Sequence, residues 1–231
     1  MPSMLVFTFA PVLAAVAGAG LTAWRRPGPQ LVSAIQHFAA GVVFAAAAGE
    51  ILPDLKHAGA VWPVMIGGGA GILAMLMIQS LEARASGGAG LLMTIGVDIF
   101  IDGLVLGLSF LAGQTQGLLL TIALTIEILF LGLTISVGLK TGHWARPEVI
   151  TALMALLLPL GALLSAPISL LPGPVVTGCF AFALVALLYL VTEELLVEAH
   201  EVPDRPWITA MFFVGFLLLL LLADIMESAP A

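Results

Sequence analysis

The chain holds one cysteine, Cys179, among 231 residues. That excludes an intrachain disulfide and any cluster of thiolate ligands, and its place inside an apolar run marks it as a packing residue. Charge is nearly as scarce. Only 9% of residues are charged while 61% are hydrophobic, and the mean hydropathy of +1.18 lies far outside the soluble globular range. Lys and Arg together number 7 against 14 acids, so no basic face is offered to a nucleic acid. No short segments alternate in polarity as barrel strands do. Neither a nucleophile–base pair nor an HExxH-like motif is present, so an enzyme is not expected. These absences leave an all-α integral membrane protein, multi-pass in a cell (inner or plasma) membrane, whose helices satisfy their own backbone within the lipid bilayer.

Eight apolar spans, punctuated by charges, Pro or Gly, fall at roughly 3–24, 30–53, 60–81, 91–112, 114–140, 147–171, 174–200 and 206–227. They read as eight transmembrane helices of a single domain, 1–231, because the connections are short; ARASGGAG (83–90) is the most loop-like. The first span is not read as a secretory signal, since nothing positive precedes it and Arg25 and Arg26 follow it. With its N-terminus outside, Arg25, Arg26, Arg84, Lys140, Arg146 and Arg205 share one side, and Lys56 alone lies on the other. The positive-inside bias then places both termini outside.

The informative charges are acids within the spans. VDIFIDGLVLG (97–107) carries Asp98 and Asp102, and TIEILFLGLTISVGL (125–139) carries Glu127. Near a bilayer centre the three cost roughly 7–10 kcal/mol together on insertion scales, against a total stability of about 5–15 kcal/mol. A spacing of four puts Asp98 and Asp102 on one face, about 6 Å apart along the axis, with Ser109 continuing the stripe. Gly103 and Gly107 let another helix approach closely, and the short AGQTQG connection makes the fifth span the expected neighbour. The acid-to-glycine offset from Asp98 to Gly103 recurs from Glu127 to Gly132 on spans of opposite direction, which hints at an inverted pair around a midplane site. Neither span carries Lys or Arg at matching depth, so a bound divalent cation or protons must neutralise the set.

A second polar group falls in YLVTEELLVEAHEVPD (189–204), with Glu193, Glu194, Glu198, His200 and Glu201. Glu193 and Glu194 are the deeper members, and Glu198, His200 and Glu201 also fit a solvated helix end. His37, in the second span, joins this end or is a hydrogen-bonded core histidine. Glu50, in GEILPDL (49–55), lies towards the opposite end of the same span, before Pro53. Gly67, Gly68, Gly69 and Gly71 in the third span serve helix packing or a sliding surface.

These residues resemble the Zrt/Irt-like (ZIP) divalent metal transporters, a family with eight helices, both termini outside and a metal site between the fourth and fifth. HFAAGVVFAAAAGEILPDL (37–55) is similar to the family's second helix, and TEELLVEAHE (192–201) to its seventh. The fourth-helix motif, usually His-Asn-x-Pro-Glu-Gly, is represented by Asp98-Ile99-Phe100-Ile101-Asp102-Gly103, and the fifth by Glu127-Ile128-Leu129-Phe130-Leu131-Gly132. Leu158-Pro159-Leu160-Gly161 stands where the sixth often has Glu-Pro-x-Gly. The resemblance implies one site of Asp98, Asp102 and Glu127. The ligands special to a second ion are replaced by Ile99, Ile128 and Leu158, and Leu131 stands where a carboxylate would bridge the two.

An all-oxygen set favours harder ions such as Mn²⁺, Mg²⁺ or Fe²⁺, while Zn²⁺ also accepts carboxylates and is favoured by intrinsic affinity order. The expected function is carriage of a divalent metal by alternating access. Glu50 would lie towards the outer opening and His37, Glu193, Glu194, Glu198 and His200 along the inner path, with a homodimer implied by the family. Two other readings remain open: a proton-coupled carrier of another small solute, and a transport-inactive receptor or assembly protein.

Overall fold

The computed structural model describes residues 2–24, 27–84, 88–138, 147–203 and 205–228. All regular structure among the described residues is helical, and eight helices are long and apolar enough to cross a membrane. We number them α1 (Pro2–Trp24), α2 (Pro29–Ala58), α3 (Val61–Arg84), α4 (Gly88–Ala112), α5 (Gln114–Gly138), α6 (147–170), α7 (Gly173–Ala199) and α8 (Pro206–Ser228). Helices α2, α7 and α8 begin on Pro29, Pro174 and Pro206 or one residue before. A missing N–H costs nothing in the first turn of a helix.

Three spans depart from a regular α-helix. α2 does not end at Pro53, as the span 30–53 has it, but continues to Ala58 and stops at Gly59, whose φ of 60° is left-handed. It passes the proline through a π-helical turn, Ala47–Ile51, which rearranges the carbonyl partners just where Pro53 supplies no donor. α7 contains a second π turn, Leu190–Leu195. α6 is interrupted at Leu156, between Pro147–Ala155 and Leu157–Ser165, and finishes as a 3₁₀ turn, Ala166–Leu170. Pro159 has no N–H for the Ala155 carbonyl, which places the break.

The most extensive pairings are α1 with α5, α4 with α6, α2 with α8, and α3 with α7. With the α4–α5 and α2–α7 contacts they define two groups of four, α1/α4/α5/α6 and α2/α3/α7/α8, which meet one another through α2–α5 and α4–α7. The pattern is unchanged when α1, α2, α3 and α4 are exchanged with α6, α7, α8 and α5. Each exchange joins spans of opposite direction, which is the signature of inverted repeats. The two π turns, on α2 and α7, are exchanged with one another.

Glycine seats each pair. A Cβ at Gly18 or Gly132 would overlap the Leu129 or Ala15 carbonyl across the α1–α5 contact, and one at Gly41 or Gly215 the Phe212 or Phe38 carbonyl across α2–α8. Gly103 and Gly161 meet Leu158 and Phe100 in the same way across α4–α6, and Gly67 meets Gly178 across α3–α7. In lipid, where apolar surface gains nothing by leaving solvent, such close backbone approach is what holds helices together.

Candidate metal centre

The central site is built on α4 and α5. Asp98, Asp102 and Glu127 are all buried, and one oxygen from each lies within 4.8 Å of the others. An ion 2.0–2.6 Å from its oxygens separates opposite ligands by about 4–5 Å, so the three converge at the spacing of a single cation. Both Asp102 oxygens and Glu127 Oε2 have no hydrogen-bond partner among the described residues. Neither α4 nor α5 contains a Lys or Arg. Buried carboxylate oxygens without donors are rare because each forfeits its hydration. This arrangement can bind a hard or borderline cation, or hold protons.

The acids face α5 as the sequence reading expects, but the glycines do not. Gly103 and Gly107 seat α4 against Leu158, Ala162 and Ser165 of α6, and Gly132 seats α5 against Ala15 of α1. The two faces of α4 thus divide the work: carboxylates towards α5, glycines towards α6. The exchange of α4 with α5 and of α6 with α1 carries one glycine contact onto the other, so the acid-to-glycine echo in the sequence marks equivalent places. Ser109 is buried with an unpartnered Oγ. Ile99, Ile128 and Leu158 are fully buried apolar side chains, and Leu131 is half-buried.

α7 contributes to the same centre. Glu194 is half-buried and within electrostatic reach of both Asp102 and Glu127, whereas its neighbour Glu193 is exposed. Both lie in the π turn, whose wider register selects which glutamate faces inward. Glu193 is therefore not brought to the centre.

Beyond it, where α2 meets the end of α7, the structure joins several of the other candidates. The His37 and His200 rings lie 4.9 Å apart, tilted by 59°, and Gln36 Nε2 donates to Glu198 Oε2 at 2.6 Å. Ser33 Oγ donates to the Ala199 carbonyl at 2.6 Å. Sequence reasoning missed Ser33 and Gln36; the one available signal was that both lie within a turn of His37. Thr151 on α6, buried with an unpartnered Oγ1, was also missed and carries no motif. Glu50 is buried in the α2 π turn, which packs on α5 and α7, and its electrostatic neighbours are Glu227 and Asp54 rather than the central acids. Gly67 and Gly71 are packing contacts with α7, while Gly69 faces open space. Of the cations behind the orientation argument, Arg25, Arg26, Lys140 and Arg146 lie outside the described residues.

No protein-family model and no curated protein matches this chain.

Proposed function

We propose that the chain is a ZIP-like membrane carrier of divalent cations, with Asp98, Asp102 and Glu127 as its single midplane site. The observation that carries this reading is the convergence of three buried carboxylates on helices that lack any basic side chain, with both Asp102 oxygens and Glu127 Oε2 without a hydrogen-bond partner among the described residues. Such a cluster calls for positive charge, and an all-oxygen set suits Mn²⁺, Fe²⁺ or Mg²⁺ as well as Zn²⁺. Alternating access is supported by the division into two groups of four helices. Every glycine seat between the described helices lies within a group and none joins one group to the other. The α4–α5 pair and its cargo can therefore shift against α2/α3/α7/α8 without unseating a glycine contact. Both termini outside and six cations inside complete the proposal.

The test is uptake by proteoliposomes over Mn²⁺, Zn²⁺, Fe²⁺, Cd²⁺ and Mg²⁺, comparing wild type with Asp98→Ala and Asp102→Asn. The expected outcome is uptake of at least one of these ions by wild type and a loss of tenfold or more in both variants, about 1.4 kcal/mol or greater. Absence of transport and of binding, with the variants indistinguishable from wild type, overturns the reading. Proton flux without metal uptake, sensitive to the same substitutions, would move the assignment to a proton-coupled carrier.

A further inference from the structure

A groove of about 550 Å³ runs between α3 and α7 on one side and α4 and α6 on the other. Apart from the Trp62 indole and the Cys179 thiol, it is lined by hydrocarbon side chains and glycine. Water does not suit such a place, because a buried water needs about two to four polar partners. Nor is a passage of this size left unfilled without cost, since the side chains along it would forfeit their contacts on one side.

Its shape narrows the choice of occupant. All four helices contribute from the same end: α3 from Trp62 to Ala70 and α7 from Pro174 to Phe182, in their first turns, and α4 from Leu104 to Leu108 with Ile168 of α6, in their last. Eight residues of helix rise about 12 Å, against about 15 Å for the hydrocarbon of one leaflet. Trp62 marks the shallow end, where an indole favours the membrane interface. The groove therefore runs down through most of one leaflet, in the direction a lipid tail takes. Trp62, Ile66 and Val175 are exposed on its rim, so it is continuous with the bilayer-facing surface, while Val105 and Leu108 form a buried floor. About 550 Å³ spread along about 12 Å is a passage about 7 Å across. That admits a hydrocarbon chain but not a helix of a second copy, which with its side chains is about 10–12 Å wide.

We propose that this groove holds an acyl tail of a bilayer phospholipid, seated between the two groups of helices. The tail seals that half of their boundary down to about the level of the carboxylate centre: Leu104 is two residues past Asp102 on α4, about 3 Å along the axis. A fluid tail withdraws into the bilayer when the walls close, which a packed side chain cannot do. The value of this to groups that shift rests on the function proposed above; the occupancy itself does not.

The test is photolabelling of the full-length protein in liposomes with a phosphatidylcholine that carries a diazirine near the end of one tail, read by peptide mass spectrometry. Label is expected on Leu104, Cys179 and Phe182, and also on Leu217 and Leu221, which are exposed on α8 and report ordinary bilayer contact. Cys179→Trp and Ala70→Trp fill the groove from α7 and from α3. Each should lower the groove label about tenfold or more, since that takes the loss of only about two buried methylenes. Unchanged α8 label shows that the variant is folded and inserted, and two variants keep the test decisive if one does not fold. A groove without label, or groove label that both variants leave unchanged, overturns the proposal. So does rapid reaction of Cys179 with a charged, membrane-impermeant methanethiosulfonate, which would mean that water fills the groove. Cross-linking to a second copy by benzoylphenylalanine in place of Ile66 likewise overturns it, in favour of a protein occupant. Metal uptake is not read in any arm, so failure of the carrier assignment would leave this result intact.

Discussion

Glu193 and Glu194 are adjacent, chemically identical and placed in opposite surroundings, one exposed and one turned towards Asp102 and Glu127. Glu194→Gln is therefore expected to slow initial Mn²⁺ uptake about tenfold or more, the scale of losing a supporting group at a metal site. Glu193→Gln should stay within about twofold on the same scale. Equal effects would show that the π turn does not discriminate between them. At this scale the central acids were readable in the sequence, because Asp98, Asp102 and Glu127 each carry an insertion cost that only a partner offsets. Glu193 against Glu194 was not readable, since their facing depends on a hydrogen-bonding register that composition does not encode. Gln36 and Ser33 escaped for a different reason: a polar residue near a helix end is ordinary until the opposing helix is in place.

The helices themselves followed from the runs of apolar residues, and their ends from Pro, Gly and charge. Within them, the π turns of α2 and α7 and the break at Leu156 were not legible from hydrophobic periodicity. In a helix that is apolar all round, one extra residue per turn leaves the pattern nearly unchanged. Glycine was legible as close packing but not as to its partner: Gly103 reads the same whether α5 or α6 lies against it. The seats give a contrast between neighbouring residue types. Gly103→Ala places a Cβ into the Leu158 carbonyl, while Gly69→Ala meets nothing within 4 Å. The first is expected to cost about 1–3 kcal/mol, the range of overpacking in a close-packed interior, and the second to be neutral or stabilising by helix propensity. Thermal unfolding of the detergent-solubilised protein, followed by circular dichroism, checks both; a Gly103→Ala protein as stable as wild type would show that α4 and α6 have room to part.

Across the molecule, the two four-helix groups meet along a groove of about 550 Å³ with α3 and α7 on one wall and α4 and α6 on the other. Cys179 lies in it, beside Val105, Leu108 and Phe182, and it is the chain's one thiol. A membrane-permeant methanethiosulfonate with a bulky apolar group, attached there, would wedge between the groups. It is expected to abolish uptake in wild type and to leave Cys179→Ala untouched, as measured in proteoliposomes before and after labelling. Unimpaired uptake by fully labelled wild type would mean that this boundary does not move. The two groups were not foreseeable from span order, because helices adjacent in sequence are mostly not the ones most extensively paired in space. Only the recurrence of an acid and a glycine five residues apart, on α4 and again on α5, pointed to the repeat.

The same pairings set a schedule for making the protein. Gly18 is translated 111 residues before Leu129, Gly67 111 residues before Gly178, and Gly41 171 residues before Phe212. At 5–20 residues per second, the last interval is about 10–30 s. Over these intervals the narrow faces of the first three helices have no permanent mate and must be covered by lipid or by the insertion machinery. The final helix is thus not an appendage: its arrival gives α2 its mate and ends the waiting.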